Sequence, residues 1–518
     1  MIVAFFAAMA AFLLFLCLTV VRSMHMFQLN SYKPSTHLRW LRSNPASLLP
    51  GFLGAAATAV LVALPVKPVL SLSVMAVLFG LLALTQRPRK AKKPLVYTKR
   101  VLRMIFTLGL ILVVVYFGCL YFADASVFMI AAAVFSAVSP LLVLVANFLN
   151  KPVESAINQH YINDAKRLLR SCPDLLTIGV TGSYGKTSVK YILHTLLQSE
   201  FETLKTPESY NTPMGVVKTI RSSLRATHQV FVCEMGARRV GDIKELCHIA
   251  HPKMGIITSV GPQHLETFLS IDNVKKTKFE LADALPSDGT VFLNMEDENI
   301  RSYAEHAKCS VVSYGLSDRW DYYATDISAS TKGTTFTLHT PQGGSEVFTT
   351  KLVGAHNVIN IVGAMAICCQ LGIPLTLLKS QVRKLQPVPH RLQLIRRGDI
   401  TIIDDAFNSN PTGSKAAIDA LSLFDGCKIL VTPGMVELGA KQDELNEAFG
   451  AYAAKVCDHV LLVGKKQTAS IYKGLRSAGF PEHNIYVADT LQDALSHAYA
   501  ISADEKIILL ENDLPDNF

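Results

Sequence analysis

Residues 181–188 read Thr-Gly-Ser-Tyr-Gly-Lys-Thr-Ser. A short apolar run, 175–180, precedes them and an amphipathic run, 189–197, follows, which predicts a strand, a tight glycine turn and a helix. Backbone N–H groups of such a turn bind phosphate oxygens, a lysine neutralises the charge of the β- and γ-phosphates, and a threonine hydroxyl binds Mg²⁺. The sequence therefore predicts an ATP site whose phosphate-binding residues are Gly182, Ser183, Gly185, Lys186, Thr187 and Ser188.

The chain as a whole is unusually apolar for a protein with such a turn. Of its 518 residues 50% are hydrophobic and 18% are charged, against about 25% charged in typical soluble domains, and the mean hydropathy is +0.29. Residues 1–150 hold 13 Lys or Arg and a single acidic residue, Asp124, whereas the remainder holds 37 basic and 40 acidic residues. The basic surplus thus belongs to the most apolar segment, which indicates an anionic membrane surface as partner and no nucleic acid.

Five apolar stretches in this segment approach the ~20 residues that a spanning helix needs. They lie at about 2–21, 48–66, 68–85, 104–122 and 127–149. The second and third are short, so a re-entrant hairpin with three full spans is the alternative. The loops around 22–42 and 87–103 are rich in Lys and Arg, and positive loops stay inside. We therefore expect a multi-pass protein of the cytoplasmic membrane whose chain after Lys151 lies in the cytoplasm.

The glycine turn departs from the common phosphate loop, because Val180 stands where that loop has its first glycine. The pattern T-G-x-x-G-K-T instead resembles the loop of the Mur ligase family, the ATP-dependent enzymes that build the peptidoglycan stem peptide. The resemblance implies an α/β fold in which a membrane segment (1–150, about five transmembrane helices) is followed by a central P-loop ATPase domain (151–386) and a C-terminal Rossmann-like domain (387–518).

The resemblance also implies a metal site for Mg²⁺. Glu234, in Phe-Val-Cys-Glu-Met-Gly, matches the family's metal-binding glutamate, and His264, in Gly-Pro-Gln-His-Leu-Glu, matches the histidine that holds a second Mg²⁺. Lys278 falls where many Mur ligases carry a carbamylated lysine. Taken singly, these three are also compatible with a solvated glutamate, a structural histidine and a lysine on a solvated helix face. The implied metal ligands are Thr187, Glu234, His264 and Lys278.

Further matches imply the residues around the nucleotide and the acceptor. Asn294 resembles part of the family's N-x-D-D turn, and residues 354–360 match G-x-H-N-x-x-N, whose asparagines here are Asn357 and Asn360. The histidine of that motif, His356, is equally compatible with a structural role at a helix start. Asn211 and Thr212 lie in a loop resembling the one near the acceptor. Arg391 resembles the arginine that reaches the γ-phosphate, and the implied catalytic set is Lys186, His264, Lys278 and Arg391.

Residues 404–411 are the most discriminating, because D-D-[AS]-Y-N-[AS]-N-P is typical of the branch of the family that adds D-alanyl-D-alanine. Phe407 replaces the usual tyrosine and keeps an aromatic ring for adenine, and Asp405 joins the nucleotide residues. Asn408 and Asn410 are the implied substrate residues. Short apolar runs at 401–403, 429–431, 459–463 and 507–510 predict a doubly wound C-terminal domain, and alternation over 310–353 predicts a small antiparallel sheet.

The expected reaction is ATP-dependent, ADP-forming amide ligation through an acyl phosphate, with D-alanyl-D-alanine as amine and a muramoyl tripeptide as acceptor. Membrane helices stand where soluble family members carry a domain for the uridine diphosphate sugar, so the acceptor is either nucleotide-linked or lipid-linked. Two alternatives remain open from the sequence. One is a membrane-bound amide ligase making another polymer, such as poly-γ-glutamate. The other is a P-loop ATPase that drives transport or sensing.

Overall fold

The computed structural model describes residues 1–87, 94–122, 124–407 and 409–513. Asn408, and residues 88–93 of the predicted basic loop, therefore lie outside the described residues. The chain divides into two compact units, residues 1–159 and residues 160–513.

The first unit is helical. Its helices are built from the apolar stretches, and prolines open several of them at the first turn, where the missing N–H is no loss. They are α1 (Ile2–Leu29), α2 (Pro34–Ser43), α3 (Leu49–Ala63), α4 (Pro68–Thr85), α5 (Lys99–Phe122), α6 (Ala125–Val138) and α7 (Leu142–Arg170), with short 3₁₀ turns at Pro45–Ser47 and Ser139–Leu141.

Four of the five predicted apolar stretches each correspond to one helix, namely α1, α3, α4 and α5, whereas the fifth is divided between α6 and α7 by a 3₁₀ turn. Within the described residues, four helical stretches are long and apolar enough to cross a membrane: α1, α4, the Lys99–Gly118 part of α5, and Ala125–Arg170, which contains α6 and α7. Helix α3 has 15 residues, fewer than the ~20 that a straight span requires. It packs closely on α6, where Ser136 Oγ donates to Gly51 O at 3.0 Å and a Cβ at Gly51 would meet Ser136 O at 2.6 Å.

The second unit contains a nine-stranded sheet with the order β2-β3-β1-β4-β5-β6-β7-β8-β9. Pairing is parallel from β2 through β7 and antiparallel between β7, β8 and β9. The strands are β1 (Leu176–Thr181), β2 (Thr203–Lys205), β3 (Val230–Glu234), β4 (Met254–Ile257), β5 (Thr290–Asn294), β6 (Ser310–Gly315), β7 (Tyr322–Ser330), β8 (Gly333–His339) and β9 (Ser345–Thr350).

Helices cover both faces of this sheet. Alternate side chains of β3 divide between two cores, with Val232 in one and Phe231 and Cys233 in the other. The connecting helices are α8 (Lys186–Leu197), α9 (Pro213–Ser223), α10 (Asp242–Ala250), α11 (Leu265–Phe268), α12 (Ile271–Ala284), α13 (Glu298–Arg301), α14 (Ala355–Gln370) and α15 (Leu375–Val382), with a 3₁₀ turn at Ala304–His306. Strand β1 lies between β3 and β4, so its carboxyl end opens at the switch point of a doubly wound sheet.

A second, six-stranded sheet follows with the order β10-β11-β15-β12-β13-β14. All pairs are parallel except β10 with β11. Its elements are β10 (Gln393–Arg397), β11 (Ile400–Asp405), α16 (Pro411–Ser422), β12 (Cys427–Thr432), α17 (Gln442–Ala453), β13 (His459–Val463), α18 (Ala469–Ser477), β14 (Ile485–Ala488), α19 (Leu491–Ala500) and β15 (Lys506–Glu511), with 3₁₀ turns at Gly439–Lys441 and Glu482–Asn484.

The predicted doubly wound C-terminal domain is confirmed, and all four predicted strands are present. Strands β10 and β14, at the two edges of the sheet, were not predicted: β10 mixes polar and apolar residues, and β14 is an apolar run of only four residues. The small antiparallel sheet predicted over 310–353 is wrong in part: these strands extend the nine-stranded sheet, and β6 and β7 pair in parallel. Alternation shows that a strand has one polar face, and it does not show the direction of the neighbouring strand.

Candidate active site

The loop 182–185 joins β1 to α8, and its two glycines are required by its geometry. Gly182 has φ of +151° and Gly185 has φ of +77°. A Cβ at Gly182 would overlap Thr258 Oγ1, and a Cβ at Gly185 would lie 2.9 Å from Asn360 Oδ1. Gly185 caps α8 without a side chain. The N–H groups of the first turn of α8 are therefore left for an anion, as a phosphate loop requires.

This loop is held in place by the loop that follows β4. Ser183 N donates to Ser259 O at 2.8 Å, and Tyr184 N donates to Ser259 Oγ at 2.7 Å. Gly261 N donates to Ser183 Oγ at 3.0 Å. Because the loop is bonded on both sides, its backbone is organised before any ligand binds, which lowers the entropic cost of binding.

Lys186 opens α8 and lies over its own loop. Its Nζ donates to Gly182 O at 2.7 Å and to Ser183 O at 2.9 Å. Burial lowers the pKa of Lys186 to about 8, and the nearby Arg391 lowers it further while Glu234 raises it. The lysine thus remains mainly a cation at neutral pH, close to where the loop would hold phosphates.

Glu234 is the last residue of β3, and several donors contact its carboxylate beside the phosphate loop. Its Oε1 accepts from Thr187 Oγ1 at 3.2 Å and from Asn211 Nδ2 at 3.0 Å. Its Oε2 lies 3.0 Å from Lys190 Nζ, and both side chains of this ion pair are buried. The structure therefore brings together the predicted residues Thr187, Glu234 and Asn211. Thr212 stands next to them as the N-cap of α9, where its hydroxyl accepts from Gly215 N at 3.4 Å.

His264 lies in a left-handed turn, with φ of +53°, just before α11. Its Nδ1 is 2.5 Å from Oε2 of Glu437, a residue of the C-terminal sheet's loops. Burial lowers the pKa of His264, and the hydrogen bond from His264 lowers the pKa of Glu437. Arg238 Nη1 is 4.0 Å from Glu437 Oε1. The predicted metal-binding histidine is therefore engaged by a carboxylate that was not predicted as a site residue.

Lys278 is buried in α12, with 2% of its surface exposed. Burial lowers the pKa of its amine well below the ordinary value, and the nearby Lys186 lowers it further, while Asp242 and Glu280 raise it. No carboxylate among the described residues lies within 4 Å of its Nζ. The alternative that Lys278 lies on a solvated helix face is thus excluded, and burial disfavours the charged form of its amine.

A cavity of about 500 Å³ opens beside the phosphate loop. Residues of both sheets line it. Those predicted for the nucleotide are Gly185, Ser188, Asn294, Asn357, Asn360, Arg391, Asp405 and Phe407, and the predicted substrate residue Asn410 also lines it. Gly182, Ser183, Lys186 and Thr187 lie at the phosphate loop and are not among the lining residues. The cavity volume is within the range of small-molecule sites.

The amides on the wall of the cavity are oriented by backbone groups. Asn294 Nδ2 donates to Thr258 O at 2.8 Å, and Asn357 Nδ2 donates to Val353 O at 2.9 Å. His356 also lines the cavity, and burial lowers its pKa to about 4, so its imidazole is neutral. A neutral imidazole and fixed amides recognise polar edges of an uncharged group such as a purine base.

The C-terminal sheet contributes a cation, an anion and an aromatic ring. The guanidinium of Arg391 lies 4.8 Å from the ring centre of Phe407. Asp405 Oδ1 accepts from Leu392 N at 3.1 Å. Burial raises the pKa of Asp405 to about 6, although Arg391 opposes the shift. Asn410 accepts from Gly413 N at 2.8 Å as the N-cap of α16.

Two family models match the chain in the regions that carry this site. The Mur ligase middle domain matches residues 180–368, and the Mur ligase, glutamate ligase domain matches residues 390–511. The chain belongs to the Mur ligase family. The two sheets of the second unit lie in these two matched regions, which confirms the predicted α/β fold with a central and a C-terminal Mur ligase domain.

The chain is also similar to individual members of the Mur ligase family. It is 32% identical over 292 residues to the UDP-N-acetylmuramoyl-tripeptide–D-alanyl-D-alanine ligase of Bacillus subtilis, covering 56% of this chain and 62% of that protein. The ligase of the same name from Escherichia coli is 33% identical, covering 56% and 65%. The chain therefore spans less than two thirds of the length of these relatives. A crystal structure of MurF from Acinetobacter baumannii superposes with a TM-score of 0.63 at 26% identity, covering 70% of this chain and 78% of that chain.

Several residues of the site were missed by the sequence argument. Lys190 carried no signal beyond its place two residues after the loop motif. Glu437 lies in the stretch Gly-Met-Val-Glu-Leu-Gly, and its contact with His264 spans 173 residues. Glu511 and Asn512 at the end of the last strand were not singled out at all. Only strand order could have found them.

Proposed function

We propose that this protein is an ATP-dependent, ADP-forming amide ligase that adds D-alanyl-D-alanine to a muramoyl tripeptide through an acyl phosphate. The observation that supports this most is the single cavity that joins the phosphate loop to Arg391, Asp405 and Phe407. One wall holds the triphosphate by backbone N–H groups, and the other supplies a cation and an aromatic ring for the same nucleotide. The named relatives perform this ligation, and residues 404–411 match their branch except at Phe407.

The steps follow from the placement of charge. The acceptor carboxylate attacks the γ-phosphorus of ATP, the bond to the β-phosphate oxygen breaks, and ADP leaves. The amine then attacks the acyl carbon, loses a proton and displaces inorganic phosphate. Lys186 and Arg391 offset the negative charge that gathers around the γ-phosphate, and their positions are set before the reaction. Burial of the site limits the loss of the acyl phosphate to water.

The donor set beside the loop fits Mg²⁺. Hard oxygen ligands suit this ion, and the Thr187 hydroxyl and the Glu234 carboxylate lie next to each other beside the loop. We assign these two residues to the metal, with His264 and Lys278 as the further ligands. Among the described residues no group of three or more His, Cys, Asp or Glu side chains is already gathered for a metal. The bound ion would supply positive charge to the phosphates.

Lys278 would join the metal site as a carbamate. The uncharged form of a lysine amine, which burial favours here, can attack CO₂, form an N–C bond and lose a proton, which converts the lysine to an anion. We expect Lys278→Ala to be inactive and to regain activity with a short-chain carboxylate such as acetate. The control is Lys276→Ala, which changes a lysine two positions away in the same helix, α12. If Lys278→Ala is as active as Lys276→Ala, and acetate raises the activity of neither variant, the carbamate hypothesis is rejected.

We further propose that residues 1–150 anchor the enzyme in the cytoplasmic membrane by about five helices, with catalytic domains at 151–386 and 387–518 in the cytoplasm. The four long apolar helical stretches and the basic loops support this. Cysteines introduced at Ser35 and at Asp124 test the orientation, because both positions are exposed, one in the first turn of α2 and one just before α6, and the proposal puts them on opposite sides of the membrane. An impermeant maleimide should label D124C but not S35C in intact cells. The opposite pattern would reverse the orientation.

The experiment that tests the function is phosphate release by the detergent-solubilised full chain with ATP and Mg²⁺. The amine is varied among D-alanyl-D-alanine, L-glutamate and ammonia, and the acceptor between soluble uridine diphosphate and lipid-linked muramoyl tripeptides. Lys186→Ala should reduce turnover by about 10² to 10³-fold, whereas Lys473→Ala, a well exposed lysine of α18, should leave turnover unchanged.

Each result has a distinct meaning. Release that needs both D-alanyl-D-alanine and a muramoyl tripeptide supports the proposal and identifies the acceptor. Release with glutamate alone would favour a polymer such as poly-γ-glutamate. Release without any amine would favour an ATPase that drives transport or sensing.

A further inference from the structure

A buried carboxylate stands at the carboxyl end of β15, in a place that the ligation steps above do not use. Glu511 has no exposed surface. Its Oε1 accepts from Ser414 Oγ at 2.6 Å and from Ser409 Oγ, and its Oε2 accepts from Thr432 Oγ1 at 2.6 Å. No cation among the described residues pairs with it. Burying a carboxylate with only hydroxyl partners is costly, so this arrangement needs a reason other than stability.

The next residue, Asn512, makes three more contacts. Its Oδ1 accepts from Ser409 N at 3.0 Å, and its Nδ2 donates to Gly434 O at 2.6 Å. Its backbone N–H donates to Asp405 O at 3.2 Å. Asn512 has φ of +66°, a conformation that asparagine tolerates better than most residues. Glu511 and Asn512 therefore each form hydrogen bonds with specific neighbouring residues.

These contacts join two loops. We name the described residues 404–407 and 409–411 the Asp405 loop, and residues 432–439 the Glu437 loop. Strand β15 lies between β11 and β12 in the sheet, and these two strands lead into the two loops. An end of β15 is therefore a place where side chains can reach both loops at once.

The two loops contribute different side chains to the site. The Asp405 loop contributes Asp405, Phe407 and Asn410 to the cavity wall. The Glu437 loop carries the carboxylate that contacts His264 of the middle domain. Hydroxyls of both loops, Ser409 Oγ and Thr432 Oγ1, donate to the one carboxylate of Glu511.

We propose that Glu511 and Asn512 are positioning residues that hold the Asp405 loop in the form that binds ATP and that couple it to the Glu437 loop at the domain contact. This inference rests on the proposed function for its ligand. Neither residue lines the cavity, so both act through the loops that they hold.

The test compares Glu511→Gln and Asn512→Gly with Glu505→Gln in the purified full chain. Glutamine keeps the size of Glu511 but replaces one acceptor with a donor, and glycine removes the side chain of Asn512 while accepting its positive φ. Glu505 is an exposed carboxylate just before β15. The readouts are the Kd of a fluorescent ATP analogue, the KM for ATP and kcat. We expect E511Q to raise the Kd and the KM on the order of tenfold, with kcat changed much less and E505Q unchanged.

A double-mutant cycle separates positioning from general weakening. If Glu511 acts through the Asp405 loop, E511Q should raise the Kd about tenfold in the wild-type chain but less than about twofold in a Phe407→Ala background, because the loop's ring is already gone. Equal effects in both backgrounds would overturn the inference, as would an unchanged Kd in folded E511Q. Should E511Q fail to fold, Ser414→Ala and Thr432→Val each remove one hydroxyl donor, and an unchanged Kd in both would overturn it.

The nucleotide Kd keeps this inference distinct from the proposed function. If the wild-type chain binds the analogue but ligates no amine, the proposed ligase function is rejected. The positioning role is then decided by the Kd values of the variants alone. Normal ligation with an unchanged Kd in E511Q would reject the positioning role alone. Absence of nucleotide binding by the wild-type chain would reject both.

Discussion

Two strand–loop–helix segments face the same cavity and are built differently. The first runs from β1 through the loop 182–185 into α8, and the second runs from β11 through the Asp405 loop into α16. The first helix begins at Gly185, which offers no side-chain cap. The second begins at Asn410, whose side chain accepts from Gly413 N.

This difference separates two ways in which the proposed site would bind one nucleotide. An uncapped helix start leaves N–H groups for an anion, so the first segment is suited to binding phosphate with its backbone. A capped start has used part of that capacity, so the second segment presents side chains, namely Asp405 and Phe407. The first arrangement needs glycines within the loop itself, whereas in our proposal the second needs distant residues such as Glu511 to hold the loop.

The largest expected effect comes from placing a side chain in the first segment. Gly185→Ala puts a Cβ 2.9 Å from Asn360 Oδ1 at a φ of +77°. A left-handed non-glycine residue costs roughly 1–2 kcal/mol, and the contact displaces an amide on the cavity wall. We expect the Kd for ATP to rise at least tenfold.

Gly372→Ala is the matched control for that change. It has a similar φ of +83°, but nothing lies near its Cβ position. We expect it to lower the unfolding temperature without changing the Kd for ATP. Equal losses of ATP affinity in both variants would show that strain anywhere in the domain weakens binding, and the comparison between the segments would fail.

The second segment is tested by removing its ring. Phe407→Ala loses the contact of the ring with Arg391 and its stacking on a base, each worth on the order of 1 kcal/mol. We expect the KM for ATP to rise about five- to tenfold, with a small change in kcat. Phe407→Tyr restores the residue of the family motif and should stay within about twofold of the wild-type KM. A tyrosine variant as weak as the alanine variant would exclude stacking as the role.

The effect with the smallest expected consequence for ATP binding is a pH dependence of stability in the second segment. Burial raises the pKa of Glu511 to about 7, and the nearby Asp405 adds to the shift. The folded state therefore holds this proton more tightly than the unfolded chain, so the related stability is present below pH about 4.5 and is lost as the pH rises through about 7. The loss is at most about 3 kcal/mol.

The measurement is the unfolding temperature of wild type and E511Q between pH 5 and 9 in the same detergent. The wild type should lose stability relative to E511Q between pH 5 and 7.5, and the difference should be constant above pH 8. Asp405, whose pKa is raised to about 6, titrates in both proteins and so largely cancels. Parallel curves across the whole range would mean that Glu511 is ionised throughout.

Much of the architecture was predictable because it depends on residue patterns within continuous stretches of the sequence. The phosphate loop and the apolar helices of residues 1–122 depend on local conformational preference and on hydrophobic periodicity, which need no knowledge of distant residues. The family motifs added Glu234, Arg391 and the Asp405 loop. The pairing direction of β6 and β7 was mispredicted. The residue pattern of a strand shows which of its faces is buried, but it does not show the direction of the neighbouring strand.

The sequence by itself predicted a backbone phosphate site after β1, and it determined that basic, highly apolar helices precede that strand, since both follow from local properties. Only the tertiary structure decided that His264 meets Glu437, that Lys190 pairs with Glu234 inside the protein, and that Glu511 holds Ser409 from 102 residues away. These contacts depend on strand order, above all on β15 lying between β11 and β12. The order of strands is set by burying whole sheet faces at once, which is a property of the complete fold.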